Sequence, residues 1–270
     1  MIFLGVDIGA VSAKAVILKG NGRFFHAVMD TGSNIELIAD KVTKRVLAEA
    51  ETTFDDLKGI VATGYGRISV PFADKKVTEI TCHARGVHHL IPEVETIIDI
   101  GGQDSKGIRV DESGNVVDFV MNDKCAAGTG RFLEVMAKAL ELEIDELGSI
   151  SLESKDPCRI SSVCTVFAES EVVSLRAEGR SREDIIAGIH KSIASRIGAM
   201  MSQVGREGVS VLTGGVAKNR GVIKALEDEL KITMGIPENP QITGALGAAL
   251  IASDGGCGVK SKAPVKAGKE

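Results

Sequence analysis

Aromatic residues are scarce in this chain of 270 residues, which has no Trp, a single Tyr and 3% aromatic residues in total. Proteins that bind single-stranded nucleic acid without sequence preference stack the bases on aromatic side chains, so the composition argues against that function. Net charge is -5, and the basic residues are scattered except in the last dozen positions. This distribution gives no electrostatic footprint for DNA or for an acidic membrane. We therefore expect neither a nucleic acid nor a membrane as a partner.

Long apolar runs are also missing from the sequence. The first nine residues, MIFLGVDIG, are apolar but lead straight into an acidic loop. Without a basic start and a long hydrophobic stretch they predict a strand and not a signal peptide. No segment reaches the length needed to cross a bilayer. We expect a cytoplasmic protein whose five cysteines are thiols, and the odd number also argues against a disulfide framework.

Two glycine-rich acidic segments carry most of the information in the chain: GVDIGAVSAK, residues 5–14, and DIGGQDSKGIRV, residues 99–110. Each predicts a buried strand that ends in an aspartate, a tight glycine turn and a second strand. Glycine permits close backbone approach, and a concavity of successive amides binds anions, so each turn suits a phosphate group. One such loop is weak evidence for a nucleotide site. Two loops about ninety residues apart are far stronger evidence, and they predict that one structural unit occurs twice.

The rest of the sequence predicts an α/β fold in which strands and helices share the first third and helices dominate the middle. A chain of this length allows two domains of ordinary size, so we expect two lobes around a nucleotide cleft. Ser181 followed by Asp184 is typical of a helix N-cap with an acidic first turn. Helices are predicted at residues 35–51, 77–90, 131–142, 167–179, 181–204, after the turn at 213–220 as far as residue 230, and from 242. Strands are predicted at 2–8, 13–19, 59–63, 96–100, 106–110, 209–212 and 231–236.

Two cysteines stand directly before predicted helices: Cys125 in NDKCAAGTG and Cys164 in SSVCTVFAESE. A thiolate at a helix N-terminus is stabilised by the free amides and the macrodipole. A cubane 4Fe-4S cluster takes four cysteine thiolates, so two such loops per chain would complete a cluster only in a twofold dimer. Because the chain has no C-x-x-C motif, the residues alone leave open that both cysteines are small buried hydrophobic groups.

The order of these motifs resembles that of the actin, heat-shock chaperone and sugar-kinase superfamily of two-lobed ATPases. The segments GVDIGAVSAK and IIDIGGQDSK are similar to its two phosphate motifs, LTGGVAKN to its adenosine motif, and VTEITCHARG and ITGALGAAL to its connecting helices. The resemblance implies an actin-like fold of two duplicated mixed-sheet lobes around a nucleotide cleft. It places the lobes at residues 1–78 and 79–254, with the cluster cysteines in a helical insert of the second lobe and a flexible tail at 255–270.

Within that superfamily the chain most resembles the ATP-dependent reductive activators of 2-hydroxyacyl-CoA dehydratases and the related ATPase subunits of benzoyl-CoA reductases. This resemblance implies one 4Fe-4S cluster held by Cys125 and Cys164 and shared across a homodimer. It places no ligand at Cys158, which could be a third one, while Cys82 is expected in the core and Cys257 in the tail. The similar segments lie within residues 1–252 and are TGYGR, ITCHARG, IDIGGQD, MNDKCAAGTGRFLEVMA, CTVFAESEV, IIAGIH and TGGVAKN.

The resemblance also implies the residues of the ATP site. Asp7 and Asp99 are expected to orient Mg2+ through its waters, because this cation keeps most of its hydration in proteins. Glu79 occupies a position where chaperone ATPases place an acid that positions the attacking water, and Asp99 and Gln103 are the other expected catalytic residues. The nucleotide-binding residues are expected to be Asp7, Gly9, Ser12 and Lys14, then Gly101, Gly102 and Gln103, then Gly214, Gly215, Lys218 and Asn219 near the adenosine or α-phosphate.

Simpler interpretations of several of these residues remain. Lys14 could be a solvated strand end, Glu79 an exposed acid at a helix start, and the TGG segment an ordinary tight turn. The histidines lack the spacing of metal ligands, and adjacent positions on a helix point in different directions. We therefore expect structural roles for His83, His88, His89 and His190.

ATP and a cluster together imply an ATPase coupled to electron transfer. In this interpretation the cluster takes one electron from a ferredoxin or flavodoxin, and ATP moves the lobes by a hinge motion. The electron then passes to a 2-hydroxyacyl-CoA dehydratase at a potential too negative for direct transfer. Three alternatives are an activator of a benzoyl-CoA reductase or double-cubane cluster protein, a sugar or acetate kinase of the same fold, and an ATP-switched binding module. A colourless purified protein would favour the kinase.

Overall fold

A computed structural model describes residues 1–161 and 164–255. In chain order the elements are β1 (Ile2–Ile8), β2 (Ser12–Lys19), β3 (Phe24–Asp30), α1 (Ile35–Glu49), β4 (Leu57–Thr63), β5 (Lys75–Lys76), α2 (Glu79–Leu90), β6 (Val94–Ile100), β7 (Ser105–Val110), β8 (Val116–Asn122), α3 (Gly130–Leu140), α4 (Leu147–Ser151), α5 (Thr165–Ala177), α6 (Arg182–Val204), β9 (Val209–Thr213), α7 (Arg220–Leu230), β10 (Met234–Gly235) and α8 (Thr243–Asp254). None of the helices in these described ranges has the length and apolar character that a bilayer crossing requires.

The chain forms two compact units. The first contains residues 1–92, 113–115 and those from Gln241 on, and the second contains residues 93–112 and 116–240. This division differs from the predicted boundaries of 1–78 and 79–254, because α2 and the C-terminal α8 pack on each other and α8 lies against β1, β2 and β4. Apart from Gly255, the predicted flexible tail, with Cys257, lies outside the described residues.

The two units repeat one sheet topology. Across the described ranges each contains a five-stranded sheet, with strand orders β3-β2-β1-β4-β5 and β8-β7-β6-β9-β10. In both, the first three strands form an antiparallel meander, and the fourth and fifth strands run parallel to the first. The duplication predicted from the two acidic loops is therefore present in the fold.

The strands at the centre of each sheet are buried on both faces. In the first unit α1 packs on β1, β2 and β3, and α8 packs on β1, β2 and β4, so β1 is apolar without the alternation typical of a half-exposed strand. The close approach of α8 requires small residues. A Cβ at Gly5 would collide with the backbone of Ala245, and one at Gly247 would collide with the carbonyl of Cys82 in α2. The close packing predicted for ITGALGAAL is thus found.

In the second unit helices α3, α5, α6 and α7 share one apolar core with the sheet. Helix α6 begins as predicted, since the Ser181 hydroxyl accepts a hydrogen bond from the backbone N–H of Asp184. The strand predicted at 231–236 is shortened to Met234–Gly235, because Lys231 ends α7 in the left-handed conformation with φ 56° and cannot start a strand there. Strands β3, β5 and β8 were not predicted.

Candidate active site

Asp7 lies near the end of β1 and is almost fully buried. The antiparallel register places Lys14 of β2 directly opposite it, and the lysine Nζ lies 3.4 Å from Asp7 Oδ2. Side chains that face each other across two strands interact directly, so the two loop residues form an ion pair. Lys14 is only 14% exposed, which excludes the interpretation of this lysine as a solvated strand end.

Glycines surround the carboxylate of Asp7. Gly64, which follows β4, has φ 82°, and a Cβ there would collide with Asp7 Oδ1. A Cβ at Gly244 would lie 3.1 Å from Asp7 Oδ2 and 3.2 Å from Nε2 of His83, whose Nδ1 is 3.0 Å from the Thr243 hydroxyl. Glycine has no Cβ, so the backbone can approach this carboxylate closely at both positions. His83, expected to be structural, therefore lies close to a predicted site residue.

The first phosphate loop is closed by backbone hydrogen bonds. The Gly9 N–H donates to the Ser12 carbonyl at 3.0 Å, and the Thr31 hydroxyl donates to the Gly9 carbonyl at 2.7 Å. A Cβ at Gly9 would lie 3.1 Å from Lys14 Nζ. The structure thus brings together Asp7, Gly9, Ser12 and Lys14 in one turn, as the sequence predicts.

Glu79 is held in the first turn of α2 by Arg67 of the TGYGR segment. Arg67 Nη1 lies 3.0 Å from Glu79 Oε2 and donates to the Gly64 carbonyl at 2.9 Å. Through Arg67 the predicted catalytic acid is therefore connected to the glycine that touches Asp7. With its side chain 18% exposed, Glu79 is not a freely solvated helix-start acid.

The second unit repeats the arrangement around Asp99. Lys106 of β7 lies opposite Asp99 of β6, with its Nζ 3.3 Å from Asp99 Oδ2 and 2.8 Å from Asp104 Oδ2. Asp99 and Lys106 are both 3% exposed. Gly214, with φ 87°, takes the role of Gly64, since a Cβ there would lie 2.8 Å from Asp99 Oδ1.

Lys106 was not among the predicted site residues, although the sequence contains the signal for it. Both loops have the pattern D-I-G-x-x-x-x-K, which runs from Asp7 to Lys14 and from Asp99 to Lys106. The strand register converts this shared spacing into the same ion pair in each unit. The lysine of the second loop is therefore the structural equivalent of Lys14.

The second phosphate loop is bound to the start of α3. The Gly101 N–H donates to the Asp104 carbonyl at 2.9 Å, as Gly9 does to Ser12 in the first loop. The carbonyls of Gly101 and Gly102 accept from the backbone N–H groups of Gly130 and Arg131 at 2.9 and 2.8 Å. Gln103 at the tip of the loop is exposed. The first amides of α3 are therefore used by the loop.

The predicted adenosine segment forms a tight turn at the end of β9. The Thr213 hydroxyl and the Gly214 N–H both donate to the Pro240 carbonyl, at 2.6 and 3.0 Å. Gly215 to Lys218 form one turn of 3-10 helix, and Lys218 is exposed. A nucleotide contact by these residues stays a prediction.

Asn219 ends this segment and caps α7. Its Oδ1 accepts from the Val222 N–H at 3.0 Å, so its Nδ2 is the donor toward Nε2 of His190, 3.4 Å away. His190 Nδ1 is then protonated and donates to the Ser151 hydroxyl at 3.0 Å. Burial lowers the pKa of His190 to about 3, so the ring is neutral. Both Asn219 side-chain atoms are thus engaged inside the second unit, and its predicted contact with adenosine stays a prediction.

The two candidate cluster cysteines differ in their surroundings. Cys164 is the N-cap residue of α5, as predicted. Cys125 does not stand directly before its helix, because α3 begins only at Gly130 and its first amides bind the second phosphate loop. The predicted stabilisation of this thiolate by a helix N-terminus is therefore wrong for Cys125. Both cysteines are half-buried.

The other described cysteines are buried. Desolvation raises the pKa of the Cys82 thiol to about 12, which fits its predicted place in the core. The sulfur of Cys158 accepts a hydrogen bond from Arg180 Nε at 3.3 Å, and Arg180 also binds the carboxylate of Asp156 at 2.9 Å. Cys158 thus has a protein partner of its own.

The described thiols and carboxylates can be compared with the ligands that a 4Fe-4S cluster and Mg2+ require. Across residues 1–161 and 164–255, no group of three or more His, Cys, Asp or Glu side chains is placed to hold a metal ion. Cys125 and Cys164, two half-buried thiols, match half the ligand set of a 4Fe-4S cluster, so they would fit such a cluster only together with two thiolates from elsewhere. Buried carboxylates beside glycine turns fit a hydrated Mg2+ next to phosphate oxygens.

A model of the BadF/BadG/BcrA/BcrD ATPase family matches residues 4–252. The chain belongs to this family. It is 48% identical over 255 residues to the 2-hydroxyisocaproyl-CoA dehydratase activator of Clostridioides difficile, with 94% of this chain and 96% of the relative covered. It is also 48% identical over 255 residues to the activator of lactoyl-CoA dehydratase of Anaerotignum propionicum, with 93% and 97% covered.

A solved structure supports the same assignment. The activator of the 2-hydroxyisocaproyl-CoA dehydratase from Clostridium difficile, solved with bound ADPNP, matches this structure with a TM-score of 0.90 at 46% identity, and the match covers 95% of this chain and 96% of that one. The α/β actin-like ATPase fold and the family predicted from the sequence motifs are confirmed.

Proposed function

We propose that this protein is an ATP-hydrolysing activator that passes one low-potential electron from a ferredoxin or flavodoxin to a 2-hydroxyacyl-CoA dehydratase. The observation that carries the proposal is the 48% identity, over nearly the whole chain, to two dehydratase activators. The two relatives are named for different acyl-CoA dehydratases and are equally similar to this chain. Sequence identity therefore supports the class of acceptor and leaves the acyl group open.

The ATPase half of the proposal rests on the two Asp–Lys pairs. Bound Mg2+ would supply positive charge that neutralises the phosphates. Asp7 and Asp99 would hold the cation through its waters, and Lys14 and Lys106 fix the orientation of these carboxylates through the observed ion pairs. Backbone N–H groups of the two glycine turns would donate to phosphate oxygens.

Glu79 would accept a proton from the attacking water. Arg67 holds this carboxylate at 3.0 Å, which fixes its direction, and a base must be placed within reach of the proton that it takes. Gln103, exposed at the tip of the second loop, is free to orient the same water. Gly214, Gly215, Lys218 and Asn219 would complete the site near the adenosine or α-phosphate.

The electron-transfer half rests on Cys125 and Cys164. A bound 4Fe-4S cluster would supply one-electron chemistry, and each of two chains would contribute both thiolates to it. The chain would therefore act as a homodimer that shares one cluster. The proposed phosphate loop of the second unit would link ATP to the cluster cysteines, because the same unit carries them.

The test is iron, acid-labile sulfide and molar mass on protein purified without oxygen, followed by ATP-dependent activation of purified 2-hydroxyacyl-CoA dehydratases with different acyl groups. We expect four irons per two chains, a brown colour and activation of at least one dehydratase. An iron-free protein that stays folded after reconstitution would refute the proposal. It would favour the kinase alternative, and the next step would be a search for the phosphoryl acceptor.

A further inference from the structure

Ser105 and Asn122 hold the segment that carries Cys125 from two sides. The two residues are paired across β7 and β8. The Ser105 hydroxyl donates to the Gly128 carbonyl at 2.7 Å. Asn122 Nδ2 donates to the Cys125 carbonyl at 2.9 Å and lies 3.5 Å from that of Ala127. Most of the polypeptide between β8 and α3 is thus fixed to adjacent positions of one sheet.

The same segment is joined to the second phosphate loop. Ser105 begins β7 directly after that loop, residues 101–104. The N–H groups of Gly130 and Arg131 donate to the carbonyls of Gly101 and Gly102, and these contacts hold the start of α3. The Ser105 hydroxyl adds a contact from β7 to the cysteine segment, at Gly128. All of these contacts lie within the second unit.

The internal repeat shows that the hydroxyl is not needed to build the phosphate loop. Ser105 is the sixth residue after Asp99, and the sixth residue after Asp7 is Ala13. Both are fully buried, and both loops close with the same backbone hydrogen bond. Burying a hydroxyl costs free energy unless it is hydrogen-bonded. The serine in the second copy therefore serves its contact with Gly128, in the segment that carries Cys125.

We infer that Ser105 is a positioning residue that transmits a displacement of the second phosphate loop to Cys125, with Asn122 as the fixed point on the other side. The inference rests on the proposed function, because it takes residues 101–104 as a phosphate site and Cys125 as a cluster ligand. A phosphate bound at the loop shifts the start of β7, and the Ser105 hydroxyl carries the shift to Gly128. Asn122 holds the other end of this short stretch of backbone at Cys125. The shift at Gly128 therefore changes the position and accessibility of the Cys125 sulfur.

The test uses the full-length chain, freed of cluster, reduced and kept without oxygen. The rate of alkylation of Cys125 and of Cys164 by iodoacetamide is measured by peptide mass spectrometry with and without Mg2+ and ADPNP, and ADPNP affinity is measured by calorimetry. We expect ADPNP to change the Cys125 rate about fivefold or more in the wild type, the lower end of usual coupling between sites. In Ser105→Ala the ratio should move clearly toward one while ADPNP affinity is kept, and the two backbone hydrogen bonds between the loop and α3 remain. Ser210→Ala, a buried serine on β9 of the same sheet, should behave as the wild type.

A second variant keeps the test decisive if Ser105→Ala fails to fold. Asn122 is only half-buried, so Asn122→Ala should fold, alkylate faster at Cys125 in both conditions, and respond less to ADPNP. Two outcomes would overturn this inference and leave the proposed function intact. One is a full change of the Cys125 alkylation rate with ADPNP in either folded variant, and the other is no change in a wild type that binds ADPNP. Failure of the proposed function has different signatures: a wild-type chain that does not bind ADPNP or does not assemble iron.

Discussion

Lys106 lies with its ammonium group 3.3 Å from the carboxylate of Asp99, and both side chains are buried at the centre of the second unit. Lys14 and Asp7 repeat this relationship in the first unit at 3.4 Å. The two pairs come from one D-I-G-x-x-x-x-K pattern that occurs twice. A duplicated ion pair beside duplicated glycine turns is the structural basis of the proposed ATP site.

Replacing Lys106 by Met should destabilise the protein strongly. The substitution leaves Asp99 and Asp104 without the ammonium that contacts both, and breaking a buried pair costs about 3–5 kcal/mol. Lys14→Met should cost less because Lys14 is more exposed, at 14% against 3%. Urea unfolding measures both, and the double variant Lys106→Met with Asp99→Asn should recover part of the loss. Equal free energies of unfolding for Lys106→Met and the wild type would show that the ion pair does not stabilise the fold.

Asp99→Asn should abolish ATP hydrolysis while the cluster is retained. The amide keeps the size of the side chain but removes the charge that would hold hydrated Mg2+, and we expect the rate to fall by about 100-fold or more. Phosphate release is the measurement, with the visible absorbance of the cluster recorded on the same sample. Asp228→Asn, an exposed acid of the same unit, is the control. Normal turnover in Asp99→Asn would remove this residue from the catalytic site.

The sequence was sufficient for the strands and loops that local chemistry determines. Strand β1 was predicted at 2–8 and lies at Ile2–Ile8, because an apolar run ending in Asp-Ile-Gly allows few other structures. The N-cap of α6 is similarly local, with Ser181 bonding to Asp184 three residues on.

Features that depend on distant partners were not predictable in the same way. The start of α3 was predicted within one residue, but the hydrogen bonds from its first N–H groups to Gly101 and Gly102 were not, because nothing next to Cys125 indicates them. Strand β8 exposes Val117, Phe119 and Met121, which is the reverse of the pattern used to recognise a half-buried strand. Helix α8 joins the first unit through glycine contacts with α2 and β1 that no linear pattern specifies.

Cys125→Ser and Cys164→Ser should each lose the cluster and weaken the dimer together. Each substitution would remove two of the four thiolates of a cluster shared by two chains. Iron content and molar mass of anaerobic samples are the measurements. Cys158→Ser is the matched control, because its sulfur already accepts a hydrogen bond from Arg180, and it should keep its iron. Full iron in the Cys125 or Cys164 variant, or iron loss in the Cys158 variant, would reassign the ligands.

His190 should make the protein less stable as pH falls below about 6.5. Burial lowers the pKa of this ring to about 3 in the folded state, whereas an unfolded histidine titrates near 6.5. Between these values the unfolded chain binds a proton that the folded chain does not, so its contribution is present above about pH 6.5 and is lost as pH falls toward 3. The expected loss between about pH 7.5 and about pH 5.5 is about 1.4 kcal/mol. Urea unfolding of the wild type and of His190→Gln at both pH values isolates this effect, since the glutamine does not titrate. The wild type should lose that much more than the variant, and parallel pH profiles would show that folding does not lower the pKa of His190.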